Sequence, residues 1–179
     1  MGKAIDGFII MGGGSVLDLG KALSLLVTNT EPAIKYRGFD LTKNPGLPLI
    51  AIPTTAGTGS EVTPNAVFID TKENRKFGIN TAMYIPKLCI LDPVLTLSCP
   101  RSVTISSGMD AIVHAHESFV SKRASPITRI LAKEGFRLVF NSLAAVVDNP
   151  EDLEMRARVQ LGSYLAATAL FNSDRKSVV

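Results

Sequence analysis

Short apolar runs and amphipathic segments alternate along the first hundred residues. "GFIIM" at 7–11 is a continuous apolar run, the pattern of a buried strand. "SVLDLGKALSLLVTN" at 15–29 follows, with Val16, Leu19, Leu23 and Leu26 at helical spacing, the pattern of a helix. "LPLIAIP" at 47–53 reads as a second buried strand, closed by Pro53. "NAVFID" (65–70) and "KFGIN" (76–80) flank the polar "TKENR" and predict a hairpin-like excursion. "KLCILDP" at 87–93 reads as a third apolar strand ending at Asp92-Pro93. Strand, helix and strand in this order predict a parallel α/β sheet with its binding loops at the carboxyl ends of the strands.

The pattern changes at "LSCPRSVTISSG" (97–108), after which every segment has helical periodicity. Helices are predicted over 108–121, over 125–147 and over 149–171, the second with Ser125 as N-cap and Pro126 at its first position. A boundary near residue 100 therefore separates an α/β part (1–100) from an all-helical part (101–179). The last six residues, "DRKSVV", continue no amphipathic pattern.

Composition removes several function classes. The net charge of +3 comes from scattered basic residues, with no Lys/Arg stripe interleaved with aromatics, so a nucleic-acid partner is not expected. No apolar run reaches the length of a membrane span, and the N-terminus lacks the plan of a signal peptide. Two cysteines, Cys89 and Cys99, are too few for a disulfide framework and lack Cys-x-x-Cys spacing, which places reduced thiols in the cytoplasm.

Three stretches carry candidate chemistry. "GGGSVLDLGKA" (12–22) puts bare backbone between a strand and a helix, where N–H groups and the helix dipole favour an oxyanion. It matches neither standard fingerprint. Leu17 stands where the third glycine of G-x-G-x-x-G belongs, and the Walker-like spacing to Gly20-Lys21 is one residue too long. A tight structural turn and a phosphate cradle fit this pattern equally. "PTTAGTGSEVT" (53–63) offers the hydroxyls of Thr54, Thr55, Thr58, Ser60 and Thr63 beside two glycines. That suits phosphate, ribose or amide binding, or a solvated loop with Ser60 or Thr58 as an N-cap. In "SGMDAIVHAHE", Asp110 and His114 share a helix face one turn apart, with Glu117 close to it and His116 pointing away. An Asp and a His at this spacing suit a divalent transition metal, which takes three or four ligands. The competing reading is a capping box from Ser107 to Asp110 with His114 in the core.

Taken together and in order, "GGGSVLDLGKA", "PTTAGTGSEVT", "LDPVLTLSCP" and "GMDAIVHAHESFVS" resemble the iron-containing (group III) alcohol dehydrogenases from about Asp6 to Ser173. The resemblance implies that fold and NAD(P)-linked oxidation of an alcohol to an aldehyde or ketone by hydride transfer. It implies that Gly13, Gly14 and Ser15 hold the pyrophosphate of NAD or NADP, with Asp18 nearby. Thr54, Thr55, Thr58 and Thr63 would contact phosphate and the nicotinamide side, and Lys76 and Leu95 would lie along the dinucleotide. Asp110 and His114 would be the first two ligands of iron(II), or of zinc, which polarises the substrate oxygen. A small alcohol or aldehyde is the implied substrate, and a homo-oligomer the implied assembly.

Family members are longer at both ends. The acidic residue that senses the adenosine ribose and two further histidine ligands have no counterpart in this chain, and His116 stands where an apolar residue is expected. These departures predict a truncated fragment with impaired catalysis. The alternatives are an inactive nucleotide-binding or oligomerising module, or a related polyol dehydrogenase or dehydroquinate-synthase-like enzyme, which the "TTAGTGSE" loop fits less well.

Overall fold

A computed structural model describes residues 5–173. The first half is built on a three-stranded parallel sheet in the order β1-β3-β6, from β1 (Phe8–Gly12), β3 (Leu49–Pro53) and β6 (Leu88–Cys89). The glycine turn leads from β1 into α1 (Gly14–Leu26). A second small sheet has the order β2-β5-β4. Here β4 (Asn65–Asp70) and β5 (Arg75–Asn80) form the predicted antiparallel hairpin, and β2 (Gly38–Phe39) adds a parallel edge. That edge has no periodic signature because it is two residues long. The predicted strand at 87–93 is paired only at Leu88 and Cys89. Asp92 then caps a 3₁₀ turn over Pro93–Thr96, whose proline cannot donate to a ladder.

The register decides where the loops meet. Ile10 lies opposite Ala51 and Gly12 opposite Pro53, so β1 and β3 end level. The backbone N–H of Thr54 donates to the Gly12 carbonyl at 3.0 Å, which sets the hydroxyl loop beside the glycine turn.

The buried face of α1 is not the stripe that spacing picks out. Leu17, Gly20, Lys21, Ser24 and Leu25 are buried, whereas Val16, Leu19 and Leu23 are exposed and Leu26 alone of the stripe packs against the core. Close packing explains the choice: a Cβ at Gly20 would stand 2.1 Å from Ile10 Cδ1, so the helix lies on β1 through its glycine. Spacing finds a stripe, but α1 carries apolar residues on both sides, and only the sheet beneath it selects one. The core there is Ile10, Leu17, Leu25, Leu49, Ala51 and Tyr84. On the opposite face of the sheet Ile9 (73% exposed) and Met11 (59%) are bare.

The second half consists of α2 (Arg101–Val120), α3 (Pro126–Asp148) and α4 (Leu153–Ser173). Ser125 caps α3, its hydroxyl accepting from the Thr128 N–H at 3.1 Å, as predicted. α2 begins seven residues before the predicted start at 108, at an N-cap on Pro100. Ser107 and Asp110 are therefore mid-helix, which removes the capping-box reading. α3 and α4 approach at Gly135 and Gly162, where a Cβ on Gly135 would lie 2.9 Å from the Ala166 nitrogen and from the Gly162 oxygen. Ala111, Val139, Leu143, Val146 and Val159 form the helical core. Polar contacts join it to the sheet loops: Arg156 Nη1 donates to the Thr96 carbonyl at 2.8 Å and Gln160 Nε2 to the Pro53 carbonyl at 3.4 Å.

Candidate dinucleotide and metal site

The glycine turn is bare for two reasons that coexist. Gly13 is the N-cap of α1 and provides no side-chain cap, and the N–H groups of Val16 and Leu17 both donate to its carbonyl. The N–H groups of Gly14 and Ser15 have no acceptor within the helix and stand at the positive end of its dipole. The turn is also crowded. A Cβ at Gly14 would lie 2.7 Å from Thr58 Cγ2, and one at Gly13 would lie 3.3 Å from Thr55 Cγ2. The same turn is thus both tightly packed and bare at its N–H groups, which is why the sequence alone left a structural turn and a phosphate cradle both open.

The hydroxyl loop forms no helix over 58–63, so Ser60 and Thr58 cap nothing; instead the Thr58 hydroxyl accepts from the Ser60 N–H at 3.3 Å. Its far end is anchored to α1. Ser60 Oγ donates to Asp18 Oδ1 at 2.5 Å, and the Val67 N–H donates to Asp18 Oδ2 at 2.9 Å. The Lys21 ammonium donates to the carbonyls of Ser60 (2.9 Å), Thr63 (3.3 Å) and Asn65. Lys21 is wholly buried, and burial lowers its pKa to about 8 against the opposing pull of Asp18 and then Glu61. It is therefore still charged at neutral pH. Burial holds the Glu61 carboxyl above its ordinary range. The lysine of the near-Walker pattern thus faces the protein interior, and the Asp18 carboxylate, expected beside the pyrophosphate, accepts from the hydroxyl loop and β4.

A cleft of about 860 Å³ runs from these loops to α2. Gly13, Gly14, Ser15, Asp18, Thr55, Thr58, Thr63 and Lys76 line it, as do Asp110 and His114 from the other side. Thr54 and Leu95 are not among its lining residues. Thr54 is tied through its backbone to Gly12, and Leu95 lies half-buried in the 3₁₀ turn after β6. Sequence reasoning missed the walls supplied by Asn65, Val67, Phe68 and Ile69 on β4 and by Val103, Ser106 and Ser107 on α2. The second group was missed because helical periodicity placed the start of α2 at 108 rather than at Arg101.

Asp110 and His114 come together as their spacing requires, with His114 Nε2 3.5 Å from Asp110 Oδ1. His114 Nδ1 is buried and has no hydrogen-bond partner. His116 is exposed, in line with its pointing away from His114. Glu117 does not join the pair: among the described residues no three His, Cys, Asp or Glu side chains gather as a metal set. Two donors are half of what a transition metal takes, so these residues alone do not complete a catalytic metal site.

Two family profiles match this chain, one in each half. One, described as iron-containing alcohol dehydrogenase, covers residues 2–93. The other, described as the C-terminal part of the Fe-containing alcohol dehydrogenase family, covers residues 104–178. The chain belongs to the iron-containing alcohol dehydrogenase family. A probable alcohol dehydrogenase EutG of Salmonella typhimurium is 42% identical over 166 residues, which is 93% of this chain and 42% of the relative. The NAD-dependent methanol dehydrogenase of Bacillus methanolicus is 37% identical over 93% of this chain and 44% of its own. Among solved structures, the alcohol dehydrogenase from Oenococcus oeni superposes with a TM-score of 0.91 at 37% identity, covering 96% of this chain and 45% of that one. The sulfoacetaldehyde reductase from Bifidobacterium kashiwanohense, solved in complex with NAD+, gives 0.87 at 36% identity over 94% of this chain and 45% of that one. The chain thus spans less than half the length of the relatives it matches. The expected fold, an α/β part with a parallel sheet followed by an all-α part, is the fold this chain shares with these relatives.

Proposed function

We propose that this chain carries the dinucleotide cradle and half of the metal site of an NAD(P)-linked alcohol dehydrogenase acting on a small alcohol or aldehyde. The carrying observation is the single cleft that joins the N-terminus of α1, the hydroxyl loop and the Asp110–His114 pair. In this reading the N–H groups of Gly14 and Ser15 receive the pyrophosphate, which needs bare backbone and the helix dipole. Thr55, Thr58 and Thr63 present hydroxyls along the same wall, and Lys76 adds positive charge from β5. Thr54 supports the cradle from outside the cleft through its backbone bond to Gly12. Asp110 and His114 contribute two ligands, and no chemical step is assigned to a metal that two donors do not hold. The Cys89 and Cys99 thiols are free, which suits a cytoplasmic enzyme.

Titration with NADH, followed by nucleotide fluorescence, tests the cradle. Saturable binding is expected, competed by ADP-ribose and weakened in Ser15→Asp, which places a negative charge where the phosphates sit. Absence of saturable binding in the unaltered chain overturns the cradle. The bare sheet face around Ile9 and Met11 favours self-association as a second element, since parallel sheets are ordinarily covered on both faces. Sedimentation of the chain and of an Ile9→Lys/Met11→Lys variant decides it.

A further inference from the structure

The geometry points to Lys21 as a positioning residue, an internal cation whose cage of carbonyl oxygens gives the hydroxyl loop the shape that forms the cofactor wall. This inference rests on the dinucleotide reading of the cleft. The Lys21 ammonium takes the carbonyls of Ser60, Thr63 and Asn65. Those same three residues line the cleft. One side of this backbone thus faces a buried cation while the other side forms the binding wall, so the position of the ammonium and the contour of the wall are mechanically one.

The surroundings are built for a cation. Asp18 Oδ1 lies 3.3 Å from Nζ and also accepts from Ser60 Oγ, so the counter-ion of Lys21 grips the same loop. The ring of Tyr84 presents its face at 5.6 Å. The Glu61 carboxyl also lies near Lys21, and it too is buried. An ammonium with three donors satisfies three carbonyls that are otherwise costly to bury, and a lysine stem reaches them from α1 through a fully packed path. Lys21 touches neither the cleft surface nor a reacting atom; it acts through Ser60, Thr63 and Asn65.

Two readouts on the whole chain test this. Amide hydrogen exchange across residues 58–67, measured without nucleotide, is expected to quicken by about tenfold or more in Lys21→Met, the scale set by leaving buried carbonyls unpaired. NADH affinity should fall in parallel. Lys21→Ala should regain loop protection and NADH affinity with n-propylammonium, which replaces the missing atoms, and not with n-propanol, which lacks the charge. Exchange at 58–67 unchanged in Lys21→Met overturns the inference whatever NADH does, and failure of the unaltered chain to bind NADH overturns the dinucleotide reading instead. If Lys21→Met does not fold, melting of Lys21→Ala decides. A cooperative transition restored by n-propylammonium alone supports the cage, and no restoration overturns it.

Discussion

His114 Nε2 stands 3.5 Å from Asp110 Oδ1, one turn apart on α2, with the other imidazole nitrogen buried and unpartnered. Both side chains line the cleft. Two donors predict weak binding of a divalent metal by this chain. Cobalt(II) titrated into the protein should give a low-affinity site seen by visible absorption. His114→Ala and Asp110→Ala should each reduce its affinity by about tenfold or more, as removal of one of two ligands requires. Equal cobalt binding in the double variant would place the site elsewhere.

The glycines around the cleft separate shape from binding. Gly57 packs on α2 so closely that a Cβ would stand 2.4 Å from the Ser107 carbonyl oxygen, which is backbone and cannot step aside. Gly57→Ala is expected to destabilise the fold by about 1–3 kcal/mol through overpacking. The atoms nearest a Cβ at Gly14 all belong to the side chain of Thr58, which is exposed and can turn aside at the cost of the hydrogen bond its hydroxyl accepts from the Ser60 N–H. Gly14→Ala should therefore melt within a few degrees of the parent while losing NADH affinity. Chemical denaturation and NADH titration on the two variants check the contrast.

How far the sequence reached is clear from particular residues. The level ends of β1 and β3 follow from two apolar runs of similar length, and both binding loops sit where a parallel sheet puts them. Asp110 and His114 meet because helical spacing is rigid. The buried face of α1 was not legible, because Lys21 and Ser24 are polar and yet fully covered, whereas Val16, Leu19 and Leu23 are exposed. Hydropathy cannot reveal a lysine whose partners are carbonyls forty residues away. The start of α2 was hidden in the same way: "RSVTISS" is rich in β-branched and serine residues of modest helix propensity. Tertiary contact made it helical, with Gly57 against Ser107 and Gly108 against Leu143.

Cys89 gives a chemical check on the sheet. Burial, and then the charge of Glu61, push its thiol up to about 12. The thiolate is the reactive form, so at pH 8 Cys89 in the folded chain should resist iodoacetamide under conditions that label it fully in urea. Peptide mass analysis after timed alkylation measures the ratio. Rapid labelling in the native protein would mean that β6 does not stay seated on β3.

Lys21 and Glu61 also fix how stability varies with pH. Folding lowers the pKa of Lys21 from 10.5 to about 8, because the buried site disfavours the ammonium more than Asp18 and Glu61 support it. Below pH 8 the amine is protonated in both states and stability is insensitive to it. Between about 8 and 10.5 the unfolded chain binds more protons, so this residue makes stability rise with pH, by at most about 1.4 kcal/mol per pH unit. Glu61 acts in the acidic range. Its raised pKa means that the folded chain holds the proton above 4.5, where the unfolded chain has lost it. Its contribution is fully present below 4.5 and fades as pH climbs through the folded value. Urea midpoints of the parent and of Lys21→Met, measured from pH 7 to 10.5, should diverge from about pH 8 upward, with only the parent gaining. For Glu61→Gln the comparison starts near pH 4.5 and runs upward, where the parent should lose stability relative to the variant. Parallel curves in the alkaline range would mean that the Lys21 ammonium reaches water in the folded state.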